Sequence, residues 1–175
     1  VQAVLLFMIM LCGIIIQICY GYYHFQLGVY IENLFGIRLI GLALICVLAL
    51  TVQIITNQKY LGFFIVIAYM LFSLFFMDAI WLHNNLYRYG ESPDMPYSAL
   101  NGFGHYWKGF LWFKFYWACC AVMLAVIANL FWVRGIAGGF KERLLLAKSR
   151  FKGSNRAVFV IALLLFMGSG SYIYY

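Results

Sequence analysis

The chain has 175 residues, of which 66% are hydrophobic and only 10% are charged. This composition excludes an ordinary soluble domain and is typical of a polytopic membrane protein. The formal charge of +7 does not indicate nucleic-acid binding, because seven of the twelve basic residues lie between Arg134 and Arg156, flanked by apolar runs. The sequence therefore predicts an all-α fold, a polytopic transmembrane helix bundle whose first partner is the lipid bilayer.

Five apolar runs meet or approach the length of about 20 residues that a helix needs to cross the hydrocarbon core. We predict spans at about residues 1–20, 39–56, 61–82, 111–133 and 157–175. The second run is short and would begin earlier if residues 31–37 are helical. The spans form one predicted transmembrane domain, which we expect to be a fragment of a longer chain because it begins at Val1 and ends without a polar tail.

The fourth run, 111–133, is the clearest span because aromatic residues flank it at both ends, where headgroups lie. Small residues at alternating spacings of three and four predict a face that another helix approaches closely. They are Ala118, Ala121, Ala125 and Ala128.

The basic loop 134–156 contains a stretch with helical periodicity. Phe140, Leu144, Ala147 and Phe151 fall on one helical face, and the basic residues lie largely off it. This pattern favours a short helix that lies on the membrane surface.

The central loop 83–110 is predicted to be a folded cap rather than a linker. Pro93 and Pro96 restrict its backbone, its glycines permit tight turns, and its aromatic residues are too frequent for disorder.

The ionisable residues in and near this loop supply the candidate polar site. The acidic Asp78 lies inside the third run, where it is predicted to pair with Lys114 at similar depth in the fourth, or to act on a proton or substrate. The full set of candidate functional or structural residues is Asp78, His83, Arg88, Asn101, His105 and Lys114.

The histidines do not have the spacing of a metal site. His24, His83 and His105 share the loop side with several carboxylates, but none lies three or four residues from another ligand. There is also no HExxH, CxxCH, GxSxG or Walker motif, and the five cysteines all lie in apolar runs. We therefore expect interfacial hydrogen bonding rather than metal or haem ligation, and we assign no catalytic residue, cofactor or metal to this segment.

The positions of the basic residues predict the orientation. Placing 134–156 in the cytoplasm puts eight basic residues inside and four outside, with Lys59 and the N-terminus inside. Loop 83–110 and the C-terminal end then face outward.

The loop also carries a resemblance. The run LYRYGESPDMPYSALNGFGHYWKGFLWFKFYW, with ANLFWVRG, GFKERLLLAKSRF and GSYIYY after it, resembles the membrane region of bacterial proteins that fuse an ABC-exporter-type permease segment to a zinc aminopeptidase of the HExxH class. The similarity covers residues 78–175. It implies a bacterial inner-membrane location, an outward-facing peptidase after Tyr175 and a cytoplasmic ATP-binding subunit as partner. The HExxH site itself, and hence zinc, is not in this segment.

Three functions fit these observations. The first is a permease-like membrane domain that anchors or feeds an extracytoplasmic aminopeptidase. The second is a non-transporting membrane anchor or assembly subunit, which packs against other transmembrane helices. The third is a membrane haem or quinone redox protein that uses the outward histidines.

Overall fold

The computed structural model describes residues 1–23, 25–75, 85–98, 102–104, 106–132 and 139–175. Every regular element within these ranges is a helix, and an isolated antiparallel bridge joins Ser98 to Gly102. The helices are α1 (Gln2–Cys19), α2 (Leu27–Ile31), a π-helical segment (Glu32–Arg38), α3 (Leu39–Thr56), α4 (Lys59–Phe75), α5 (Trp107–Phe131), α6 (Phe140–Arg150) and α7 (Ser154–Tyr174). The predicted all-α fold is confirmed.

Four helical stretches in the described part of the chain are long and apolar enough to cross a membrane. They are Gln2–Cys19, Leu27–Thr56, Trp107–Phe131 and Ser154–Tyr174. The second begins well before residue 39, because α2 and the π-helical segment continue directly into α3. The apolar helix α4 has 17 residues, and residues 76–82 of the predicted third span lie outside the described residues. The count of five spans therefore stays a prediction.

The chain divides into two compact units, Val1–Ala43 and Leu44–Tyr175. This division does not test the prediction of a single transmembrane domain, which stays a prediction. In the first unit, α1 packs against the π-helical segment, and the Tyr30 ring lies against Gly13, 3.4 Å from where a Cβ would be. Nε2 of Gln2 donates a hydrogen bond of 3.3 Å to the carbonyl of Leu42.

The second unit is built around α5, whose most extensive contact is with α7. Tyr116 of α5 stacks on Phe166 of α7, with ring centroids 4.2 Å apart, and Trp112 lies 4.4 Å from Tyr172. Gly170 permits this close approach, because a Cβ there would lie 3.1 Å from the Tyr116 ring. The helices meet through aromatic rings that fit over a residue without a side chain.

Helix α3 packs against α5 through its own Thr51, and against α4 at Gly62 of α4. Thr51, which is 2% exposed, places its hydroxyl 2.7 Å from the carbonyl of Val47 in its own helix and 3.3 Å from that of Leu124 in α5. Gly62 in α4 lies so close to α3 that a Cβ would be 3.0 Å from the backbone Cα of Gln53. The α3–α4 turn has Asn57 at a φ of +53°, the left-handed conformation that asparagine tolerates at a helix C-terminus.

The predicted alanine face is only half correct. Ala121 and Ala128 are buried, whereas Ala118 and Ala125 are exposed. The buried face of α5 is determined by the larger side chains around these alanines, which form two clusters. One cluster contains Leu44, Tyr116, Trp117 and Ala121, and the other contains Val126, Leu130 and Ala147.

Helix α6 has the predicted position in the sequence and buries only part of the predicted apolar face within the protein. Ala147 packs on Val126 and Leu130 of α5, and the second buried side chain is Arg143. Phe140 and Leu144, which were predicted to share the apolar face, are 57% and 50% exposed. The buried arginine is held by the polar ends of other helices.

Candidate functional site

Lys114 is the predicted site residue that the structure describes most fully. It lies in the second turn of α5 and is only 8% exposed. Its Nζ donates a hydrogen bond of 2.7 Å to the carbonyl of Gly90 and lies 5.2 Å from the centroid of the Phe110 ring. An ammonium group this buried needs such partners, because an unpaired charge is costly to remove from water. Lys114 therefore holds the segment around Gly90 against α5 by this hydrogen bond.

Tyr89, next to Gly90, makes a second attachment. Its hydroxyl donates a hydrogen bond of 3.1 Å to the carbonyl of Leu44, and its backbone N–H donates one of 3.1 Å to the Tyr69 hydroxyl. The ring packs edge-on against Trp117 at 5.2 Å. Burial raises the pKa of the Tyr89 phenol well above its usual range, and the neighbouring Cys120 thiol and Tyr69 phenol raise it further. The phenol thus stays protonated as a hydrogen-bond donor.

The other predicted site residues are only partly described. Arg88 is half-buried in the segment 85–98. Asp78, His83, Asn101 and His105 lie outside the described residues, as does His24. The pairing of Asp78 with Lys114 therefore stays a prediction. Within the described ranges, His, Cys, Asp and Glu form no group of three or more that could hold a metal ion.

At the other end of the second unit, Arg143 organises a polar centre that the sequence analysis did not single out. Arg143 is 5% exposed. One of its terminal nitrogens donates a hydrogen bond of 3.2 Å to the carbonyl of Ile55, and the other donates to the carbonyls of Ile54 and Phe131, the latter at 3.1 Å. The guanidinium of α6 thus binds the C-terminal carbonyls of both α3 and α5.

This arrangement satisfies an electrostatic requirement of the helix ends. The last carbonyls of a helix have no partner within the helix and carry a partial negative charge, roughly half an elementary charge for the whole terminus. Arginine suits two such termini because its donors form a rigid fork. Helices α3 (Leu39–Thr56) and α5 (Trp107–Phe131) are thereby joined at this end by Arg143 of the short helix α6.

Arg150 adds a second contact of the same kind. It donates a hydrogen bond of 2.7 Å to the carbonyl of Trp132, just after α5, and its own carbonyl accepts one of 3.4 Å from the Asn155 amide. Both ends of α6 are therefore attached to the ends of the long helices, while Leu144, Leu145 and Leu146 remain 50%, 68% and 43% exposed.

A cavity of about 380 Å³ lies beside Arg143, between the ends of α3, α4 and α5. Leu50, Ile54 and Phe131 form its apolar wall. Its remaining lining is polar or basic, from Gln53, Asn57, Gln58, Lys59, Trp132 and Arg143. Its volume is within the range of small-molecule sites.

Arg143 escaped the sequence analysis because it is one of seven basic residues in a run that predicts a solvated cytoplasmic loop. One local signal was present. It precedes Ala147 by four residues, so the two lie close together on the helix surface, and Ala147 was already assigned to the apolar face. The sequence could not show that two helix termini meet this face.

Comparison with protein-family models, with curated proteins and with solved structures finds no match for this chain.

Proposed function

We propose that the chain is an ABC-permease-like membrane domain of a larger bacterial inner-membrane protein. In this proposal α6 faces the cytoplasm and binds an ATP-binding subunit, while the end that contains Lys114 faces outward, toward an aminopeptidase. The segment itself supplies no catalytic group. The resemblance of residues 78–175 is the reason for proposing this family. The structure of α6 is the observation that supports a contact between this helix and the ATP-binding subunit.

Helix α6 has the properties that transmission of a motion from a partner requires. It is short, it presents three consecutive exposed leucines, and Arg143 and Arg150 attach it to the ends of α3 and α5. A force applied to the leucines would act on the long helices directly, because hydrogen-bonded attachments of this kind leave α6 little freedom to move alone.

The test measures ATP hydrolysis by the purified ATP-binding subunit after addition of the full-length protein in proteoliposomes. We expect Leu145→Ser to weaken the apparent affinity of the subunit about tenfold, the effect of losing one buried leucine contact of about 1.5 kcal/mol. Tyr60→Ser, which removes an apolar side chain that is 86% exposed on α4, is the control and should leave the affinity unchanged.

Two results would contradict the proposal. If the wild-type protein does not stimulate hydrolysis or transport, the function is that of an anchor. If it stimulates hydrolysis and Leu145→Ser binds normally, α6 is not the contact. The peptidase part has its own test, since it requires an HExxH motif downstream of Tyr175 in the full reading frame.

A further inference from the structure

We propose that the cavity beside Arg143 binds the phosphate group of an anionic phospholipid. The inference does not depend on the proposed transport function. It rests on the charge, the shape and the surroundings of the cavity between α3, α4 and α5.

The cavity has an excess of positive charge. Lys59 and Arg143 both line it, and none of the described residues that line it is acidic. The C-termini of α3 and α5 offset much of the Arg143 charge, but the N-terminus of α4, which begins at Lys59, adds a positive partial charge. The balance is roughly one and a half elementary positive charges, which favours an anion.

Hydrogen-bond donors are available for that anion. The side chains of Gln53, Asn57 and Gln58 line the same space, as does Trp132. In addition, Nε of Arg143 is buried and has no hydrogen-bond partner among the described residues. A buried donor without a partner costs about 1–3 kcal/mol, and the side chain of Arg143, which lines the cavity, retains one donor that no described residue satisfies.

The apolar wall favours a lipid over a soluble phosphate. Leu50, Ile54 and Phe131 continue from the cavity into the apolar helices α3 and α5, and Leu50 is 57% exposed. An acyl chain can lie along this surface while the phosphate occupies the polar part. Basic pockets between transmembrane helices are known sites for anionic headgroups.

The test is native mass spectrometry of the full-length protein released from nanodiscs of equimolar phosphatidylcholine and phosphatidylglycerol. We expect the wild-type protein to retain phosphatidylglycerol. Lys59→Gln should lower the retained amount about fivefold, the effect of one basic residue at an anionic lipid surface. Gln58→Glu, which keeps the side chain's size and adds a negative charge, should lower it at least as much.

Lys152→Gln is the matched control, because Lys152 is an exposed lysine in the α6–α7 connection that does not line the cavity. It should retain phosphatidylglycerol as the wild type does. Circular dichroism of each variant verifies that the helices are intact. Equal losses in Lys59→Gln and Lys152→Gln, or no loss in either cavity variant, would overturn the site. Displacement of the lipid by millimolar inorganic phosphate would overturn the assignment to a lipid.

Discussion

Arg143 shows that one side chain can join several helices when it lies between their ends. Its guanidinium donates to carbonyls at the C-termini of α3 and α5, although it belongs to α6. The buried charge and the partial negative charges of the helix termini compensate each other. One residue thus links three helices at this end of the second unit.

We therefore expect Arg143→Met to be strongly destabilising. The substitution keeps an unbranched apolar stem but removes the guanidinium with every donor, and the loss of charge-assisted hydrogen bonds should cost about 3 kcal/mol. Thermal unfolding in detergent, followed by circular dichroism, measures the change. Lys141→Met, at an exposed position of the same helix, is the control and should be nearly neutral. Equal midpoints for the two variants would refute the capping role.

Tyr89 makes a prediction about pH. Tyr89→Phe removes the hydrogen bond to the carbonyl of Leu44 and should cost about 1 kcal/mol at neutral pH. Because burial raises the phenol pKa in the folded protein above the ordinary value of 10.0, the unfolded chain releases this proton first as the pH rises. The wild type therefore loses stability above about pH 10 relative to the phenylalanine variant.

The measurement compares the unfolding midpoints of wild type and Tyr89→Phe at neutral pH and above pH 10. The difference between them should narrow at the higher pH. A constant difference would show that the Tyr89 phenol ionises equally easily in both states. Tyr60→Phe, at a tyrosine that is 86% exposed, should not change the midpoint at neutral pH.

At the scale of elements, the packing of α5 on α7 depends on Gly170. The Tyr116 ring lies over this glycine and is held from both sides by its stack on Phe166 and its edge contact with Trp117. A ring fixed in this way cannot move aside for a new side chain. The contact between α5 and α7 is therefore sensitive to the size of the side chain at position 170.

Gly170→Leu should destabilise the protein by about 2 kcal/mol, since extra methylenes in a packed interface force neighbouring groups apart. Gly168→Leu supplies the matched control, because a Cβ at Gly168 meets nothing within 4 Å and leucine is the better helix former. The measurement compares the unfolding midpoints of the two variants, and the midpoint of Gly170→Leu should be the lower. A stable Gly170→Leu protein would mean that α5 and α7 can separate without cost.

Helix α6 shows which features of an element are readable in advance. The period of its apolar residues predicted a short helix near the observed Phe140–Arg150. Of the predicted apolar face, Ala147 is buried within the protein, whereas Phe140 and Leu144 are exposed. Ala147 makes the contact with α5 together with Arg143, which was not part of the predicted face and which donates hydrogen bonds to helix carbonyls there.

At the scale of the whole molecule, the basic residues predict the orientation across the membrane. Eight basic residues on the side of Lys59 and residues 134–156 predict that this side is cytoplasmic. Glu91 and Lys152 are both exposed and flank α5 in sequence, so they should lie on opposite sides if α5 crosses the bilayer.

We expect a membrane-impermeant maleimide to label Glu91→Cys in intact cells, in a background with the five native cysteines replaced by alanine. Lys152→Cys should be labelled only after the membrane is permeabilised. Labelling of both from the same side would contradict a crossing by α5. The reverse pattern would invert the orientation and with it the proposed position of the ATP-binding subunit.

The sequence by itself determined the class of this protein. Apolar runs of membrane-crossing length, aromatic residues at their ends and a basic connection are local properties, and four of the expected long helices follow from them. Local pattern also marked Lys114 as an unusual residue, although its partner at Gly90 was not foreseen.

Only the tertiary structure decided which groups meet. Ala118 and Ala121 look alike in the sequence, yet only Ala121 is buried, because the surrounding aromatic rings determine the contact face. Arg143 looked like one more solvated cation and instead joins two helix termini beside a polar cavity. Burial of a charge depends on partners that are distant in the chain, and no local pattern contains that information.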